Sequence, residues 1–268
     1  MDRRQLLGYL GAASCFALPF QARAQALRRK VKITDVKVMI VRGPTWDWNL
    51  IKVETDAGVH GIGEAYWGPG VKDIILNRFK GDLIGEDPLN VVKLYTKLLL
   101  FNGGYGAIAG VTVEAASGIE IALWDLAGKL IGVPVCDLLG GRFRDRVRFY
   151  RTLGAPEKHP EEPQAWGDQV AEAKANNPFG FTAFKVQGDS VPRTADPGFK
   201  EPGHDPYTNQ FTNKDIDRLV DRMDRVRAAL GETDFAIECH WKYSVNDVIK
   251  YCNAVEHVRP MWVEDPTP

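Results

Sequence analysis

Charge of one sign is what this sequence lacks: 34 lysines and arginines stand against 35 aspartates and glutamates, a formal net charge of -1 over 268 residues. A balanced surface gives no general hold on a phosphate backbone, and no basic stretch interleaved with aromatics appears. Nothing in the sequence argues for a nucleic-acid partner. Cysteine is scarce too, with 4 in the chain. Cys15 lies near the amino terminus, and Cys136, Cys239 and Cys252 form no CxxC pair, so neither a disulfide framework nor a zinc knuckle is indicated. The sequence does not decide whether Cys239 and Cys252 pair. The glycine-rich run "GGYGAIAG", Gly103 to Gly110, has neither the GxxxxGK[ST] nor the GxGxxG spacing, so a phosphate cradle is rejected. What remains is ordinary globular composition, 44% hydrophobic and 26% charged. That is enough for a substantial core in one large or two ordinary domains.

The first 26 residues read separately. "MDRRQLLGYLGAASCFALPFQARAQA" carries paired Arg3 and Arg4, an apolar stretch from Leu6 to Phe20, then small residues at Ala22, Ala24 and Ala26. That is the layout of an export signal of the twin-arginine type, which implies a periplasmic destination. The apolar stretch is too short for a spanning anchor, so no stable membrane attachment is expected. The alternative is an amphipathic helix that stays on the protein.

Between 31 and 141 the pattern is a small α+β unit. Val31, Ile33, Val36, Val38 and Ile40 roughly alternate, and "NLIKVETDAGVHGIGEAYWG" gives two strands around the hairpin signal "TDAG". Helices are predicted over Val71–Phe79 and Leu89–Leu100, the second capped by Asp87 with Pro88 in its first turn. A strong one covers "EAASGIEIALWDLAGKLIG", where Ile119, Ala122, Leu123, Leu126 and Leu130 share a face. From 145 to 268 strands and helices alternate. "VRFYRT", "FTAFKVQ", "FAIECH" and "PMWVED" read as strands, and Gln164–Asn176, Asp215–Leu230 and Asn246–Val255 as helices. Such alternation implies parallel pairing with right-handed crossovers. A closed β/α barrel takes roughly 250 residues. About half that number follows Gly141 and the chain stops directly after a strand, so we expect a piece of a longer chain.

In parallel β/α folds the chemistry sits at the carboxyl ends of strands. Lys185 and Gln187 end one predicted strand, Glu238 and His240 the next, and Glu264 and Asp265 the one after. Singly, each has a bland explanation: a solvated strand-end carboxylate, or a structural histidine. Together they place carboxylates, an ammonium, an amide and an imidazole on one rim. Glu238 and Glu264 are hard oxygen ligands suited to Mg²⁺, with Mn²⁺ as the other candidate. Metal and Lys185 would stabilise charge developing on a substrate carboxylate, and His240 would serve as general acid or base. A hydrogen-bonded Glu–His pair with no catalytic role is the competing account.

These residues carry a family resemblance. "AASGIEIALWDLAGKLIGVPVCDLLGG", Ala115 to Gly141, resembles the signature segment of the mandelate racemase and muconate lactonizing group of the enolase superfamily. The resemblance implies an α+β capping domain followed by an enolase-type (β/α) barrel, with only about its first half in this chain. It further implies that Glu238 and Glu264 are the first two metal ligands, with the third ligand and a histidine–aspartate base on later strands. Lys185 matches the first lysine of the family's Lys-x-Lys motif, while Gln187 replaces the second, which counts against a racemase using that base. His240, two residues after the first ligand, resembles the galactonate and gluconate type of acid-sugar dehydratase, where it protonates the departing 3-hydroxyl. The capping loops "GPTWDW" and "NGGYGAIAG" would close over a small sugar-acid substrate, making Trp46 and Tyr105 substrate contacts beside Gln187. His204 is a further candidate, in the long Gly188–Thr212 loop. A homo-oligomer is expected from the family alone. The alternatives are a non-catalytic protein that at most binds a sugar acid, and a racemase or epimerase of the same family.

Overall fold

The computed structural model describes residues 30–44, 46–103, 109–188 and 211–268, with the isolated positions 22 and 26. It divides into two units, Met1–Asp145 and Arg146–Pro268.

In the first unit β1 (Ile33–Arg42), β2 (Asp47–Thr55) and β3 (His60–Ala65) form an antiparallel meander in that order. The hairpin between β2 and β3 closes as its sequence requires: Gly58 has φ 72°, and its N–H donates to the Thr55 carbonyl. Strand β3 alternates strictly, with Gly61, Gly63 and Ala65 buried. Their smallness has a purpose in packing. Helix α1 (Val71–Ile74), a π-helical turn (Ile75–Phe79) and α2 (Lys80–Leu83) run on without a break, beyond the predicted end at Phe79. Val71, Ile75, Phe79 and Leu83 are all fully buried at a strict four-residue spacing. A helix of 3.6 residues per turn would rotate that row off the core, and the wider π turn brings it back. Helix α3 (Val91–Gly103) starts later than predicted. Asp87 is not its cap: its carboxylate accepts the Leu89 N–H and its carbonyl the Asn90 N–H, closing the turn before the helix.

Helix α4 (Val111–Ile131) ends at Gly132, φ 83°, and is followed by the single turn α5 (Val135–Leu138). It lies on β3 with almost no side chain between the two backbones. A Cβ on Gly61 would fall 1.9 Å from the Ala122 carbonyl oxygen, and one on Gly63 would fall 2.2 Å from that of Gly118. Asp125 accepts the Ile62 N–H at 2.7 Å, and Lys129 donates to the His60 carbonyl. Gly63→Ala is therefore expected to cost about 3 kcal/mol, the upper part of the usual overpacking range. Urea unfolding of the variant checks it, and a cost under ~1 kcal/mol would mean the helix can simply step away.

The second unit is a parallel four-stranded sheet, β4 (Arg151–Leu153), β5 (Ala183–Gln187), β6 (Asp234–Glu238) and β7 (Val263–Glu264), in sequence order. Helices α6 (Pro163–Ala175), α7 (Asn213–Leu230) and α8 (Val245–Val255) connect them. Thr212 and Asp215 form a capping box on α7, and Ser244 accepts the Asp247 N–H at the start of α8. Phe184 and Val186 of β5 and Phe235 and Ile237 of β6 enter one apolar cluster with Trp166, Met223, Val226 and Tyr251 from the helices. By the two-residue period, Lys185, Gln187 and Glu238 face the other side of the sheet. Two predicted strands shrink. "VRFYRT" pairs only over Arg151–Leu153, and "PMWVED" only over Val263–Glu264. Among the described residues Cys136, Cys239 and Cys252 form no disulfide, which leaves no Cys239–Cys252 pair. No helix among the described residues is long and apolar enough to cross a membrane.

Candidate metal centre at the strand exits

Three adjacent strands bring three chemistries together. Register fixes the first step: Gln187 lies opposite Glu238, and Glu238 opposite Glu264. Lys185, one pleat back on β5, extends its ammonium to both carboxylates, 2.8 Å from Glu238 Oε2 and 2.5 Å from Glu264 Oε1. Lys185 and Glu238 are 8% and 6% exposed, so these charges sit out of bulk water. Burial alone would lower the Lys185 pKa, but the two carboxylates outweigh it and hold the ammonium above the ordinary lysine range. Burial likewise opposes ionisation of Glu238, and the Lys185 ammonium, helped by the His240 N–H, keeps its pKa below the usual value. The lysine faces the Tyr150 ring at 5.5 Å, and Trp262 Nε1 donates to Glu264 Oε2 at 2.9 Å.

Asp265 joins the cluster. One carboxylate oxygen from each of Glu238, Glu264 and Asp265 lies within 4.8 Å of the others. The donor set is all oxygen and partly buried, which is the chemistry a hard divalent ion requires. These residues fit a Mg²⁺ or Mn²⁺ ion.

His240 corrects the sequence reading in one respect. Strand β6 ends at Glu238, so the imidazole does not reach this rim by strand alternation. Instead His240 and Trp241 take left-handed backbone, φ 48° and 55°, and the His240 N–H donates to Glu238 Oε1 at 3.1 Å. Gln187 ends β5 with its side-chain oxygen buried and, among the described residues, without a hydrogen-bond partner. Trp46 lies in the other unit, 54% exposed, lining with Asn49, Trp67 and Lys72 a cavity of about 560 Å³. Tyr105 and His204 lie outside the described residues. Sequence reasoning named Asp265 as a strand-end group but not as a ligand, and did not see Tyr150 or Trp262. The signals were there: Asp265 follows Glu264 directly, and Trp262 precedes it by two.

The fold and this rim define a class: a (β/α) barrel of the enolase type, of which this chain holds about the first half, preceded by an α+β capping domain. Comparison with known families agrees. Residues 25–140 match the mandelate racemase / muconate lactonizing enzyme N-terminal domain, and residues 168–268 match the enolase C-terminal domain-like family. The chain belongs to the mandelate racemase / muconate lactonizing enzyme group of the enolase superfamily. It is 38% identical over 244 residues to a D-xylonate dehydratase of Haloferax volcanii, covering 90% of this chain and 55% of that protein. A D-galactonate dehydratase of Ralstonia nicotianae is 31% identical over 222 residues, covering 82% of this chain and 52% of that one. Among solved structures, a mandelate racemase/muconate lactonizing enzyme-like protein from Rubrobacter xylanophilus superposes with TM-score 0.73 at 33% identity, over 88% of this chain and 61% of that one. The chain thus spans about half the length of the relatives it matches.

Proposed function

We propose that this protein is a Mg²⁺-dependent dehydratase of a sugar acid, removing the proton beside the carboxylate and the hydroxyl at carbon 3. The observation that carries the reading is the convergence of Glu238, Glu264 and Asp265 on Lys185, with His240 held at the same exit. A divalent ion bound to those carboxylates supplies positive charge against the charge that grows on the sugar-acid carboxylate as the carbon-2 proton leaves. Lys185 adds a fixed charge, ionised throughout the physiological range because two carboxylates hold it. Gln187 carries a neutral amide, so it cannot act as the base of a racemase. A separate base takes the carbon-2 proton, His240 gives a proton to the departing 3-hydroxyl, which leaves as water, and the enol left behind tautomerises to a 2-keto-3-deoxy acid. The relatives described as D-xylonate and D-galactonate dehydratases support the substrate class. Export through a twin-arginine signal over residues 1–26 and assembly into a homo-oligomer belong to the same proposal.

The protein purified from its native source is expected to convert D-xylonate or D-galactonate to the 2-keto-3-deoxy acid, to stop when EDTA is added, and to resume with Mg²⁺. Binding of a sugar acid without any turnover would favour the non-catalytic alternative, and product epimerised at carbon 2 without water loss the racemase.

A further inference from the structure

Six residues leave β6 at the candidate centre and return to where they started. Glu238, the last residue of the strand, accepts the Gly188 N–H on its main-chain oxygen at 2.7 Å. Five residues on, the Tyr243 hydroxyl donates to the carbonyl oxygen of the same glycine. The stretch between is a bow pinned at both ends to one residue at the exit of β5.

His240 and Trp241 stand in the middle of that bow with positive φ, a conformation costly for large side chains and kept only where the surroundings over-determine it. On the β7 side the N–H groups of Cys239, Trp241 and Tyr243 donate to the carbonyls of Glu264, Asp265 and Pro266 at 3.0, 2.6 and 3.1 Å. On the β5 side the tether is the Tyr243 phenol. Gly188 is equally constrained: a Cβ there would lie 2.0 Å from Ile237 Cγ2 and 2.8 Å from the Tyr251 hydroxyl. The Tyr243 ring is fully buried, edge-on to Phe211 at 4.6 Å and tilted against Tyr251 at 5.5 Å. The Phe211 N–H donates to Asp247 at 3.3 Å. Gly188 and Phe211, on either side of residues 189–210, are therefore both held by the short stretch from Tyr243 to Asp247.

We infer that Tyr243 is a positioning residue of the metal centre: by pinning the bow to Gly188 it fixes both the Glu238 carboxylate and the His240 backbone. The inference rests on the rim being a divalent-metal centre. It adds a residue that touches neither carboxylate nor ion and acts through Gly188.

Tyr243→Phe tests it, because the ring and its packing stay while the phenol donor goes. The control is Val226→Ala, which trims a fully buried residue of α7 that takes no part in the rim. Each protein is titrated with Mn²⁺ and followed by amide hydrogen exchange, at the same interval below its own Tm. Tyr243→Phe is expected to weaken Mn²⁺ about tenfold, as loss of an outer-shell partner does, and to speed exchange at Gly188 and across 239–243. Val226→Ala should leave both within about twofold, small beside an outer-shell loss. Equal weakening in the two variants, or wild-type affinity in Tyr243→Phe, would overturn the inference. Should the wild-type protein hold no Mn²⁺, the metal reading of the rim fails. The exchange arm then decides the pin by itself: faster exchange confined to the bow upholds it, and unchanged exchange overturns it.

Discussion

Lys185→Met is expected to cost about 3–5 kcal/mol of folding stability near neutral pH, the loss typical of stripping one partner from a buried ion pair. The ammonium lies within hydrogen-bond reach of Glu238 and Glu264, and Asp265 is the third carboxylate of the cluster. Methionine fills similar volume with no charge, so the acids are left facing one another in a poorly solvated place. The pH dependence gives the sharper test. In the wild-type protein the Glu238 pKa is lowered, so its contribution is present above the unfolded value and is lost as pH falls through the folded one. Lys185, with its pKa raised, contributes below its unfolded value and loses that contribution only at strongly alkaline pH. Burial is already the largest single influence on Glu238, and without the ammonium that opposes it the pKa is pushed up. The sign then reverses: the variant should gain stability as pH falls from neutrality towards 5, a window in which the wild-type Glu238 contribution stays in place because that carboxyl titrates lower. A divalent ion should replace the missing cation, so millimolar Mg²⁺ is expected to raise the Tm of Lys185→Met more than that of wild type. Thermal unfolding at the two pH values, with and without Mg²⁺, measures all of this. A variant within ~1 kcal/mol of wild type at neutral pH, little more than an exposed pair is worth, would show the three groups to be solvated and independent.

How much of this arrangement was legible in the sequence depends on what each feature rests on. The meander was readable because β1 and β2 alternate and "TDAG" puts a glycine at the one position needing positive φ. Strands β5 and β6 were readable because short apolar runs between helical patterns have few other uses. The outer strands were overdrawn because propensity says nothing about partners. Val147 and Phe149 are good strand formers, yet they are exposed and pairing to β5 begins only at Arg151. The convergence of Lys185, Glu238 and Glu264 followed from one general rule, that barrel chemistry sits at strand exits. The route of His240 did not follow. Left-handed backbone at a histidine and a tryptophan carries no composition signal, since the glycine that would flag it is absent, and the conformation is imposed by bonds to Pro266 and Gly188, distant in sequence. The π turn in the first unit was hidden in the same way, because any single four-residue step also fits an ordinary helix and only the run of steps from Val71 to Leu83 rotates off the core.

His240→Asn is expected to lower the dehydration rate by about 10²–10⁴, the span general acid–base groups usually contribute. Asparagine is chosen because it is the non-glycine residue best suited to left-handed backbone, so the φ of 48° at this position should survive. The main-chain N–H that supports Glu238 Oε1 belongs to the backbone and survives too. Mg²⁺ affinity and Tm should therefore stay close to wild type, leaving loss of the imidazole as the main change. The two chemical steps separate in deuterated water. If His240 serves only the departing hydroxyl, the variant should still exchange the carbon-2 proton of the sugar acid with solvent while product formation collapses. Loss of that exchange together with turnover would make His240 the base at carbon 2. Full turnover in the variant would remove His240 from the chemistry and pass the protonation of the departing hydroxyl to another group.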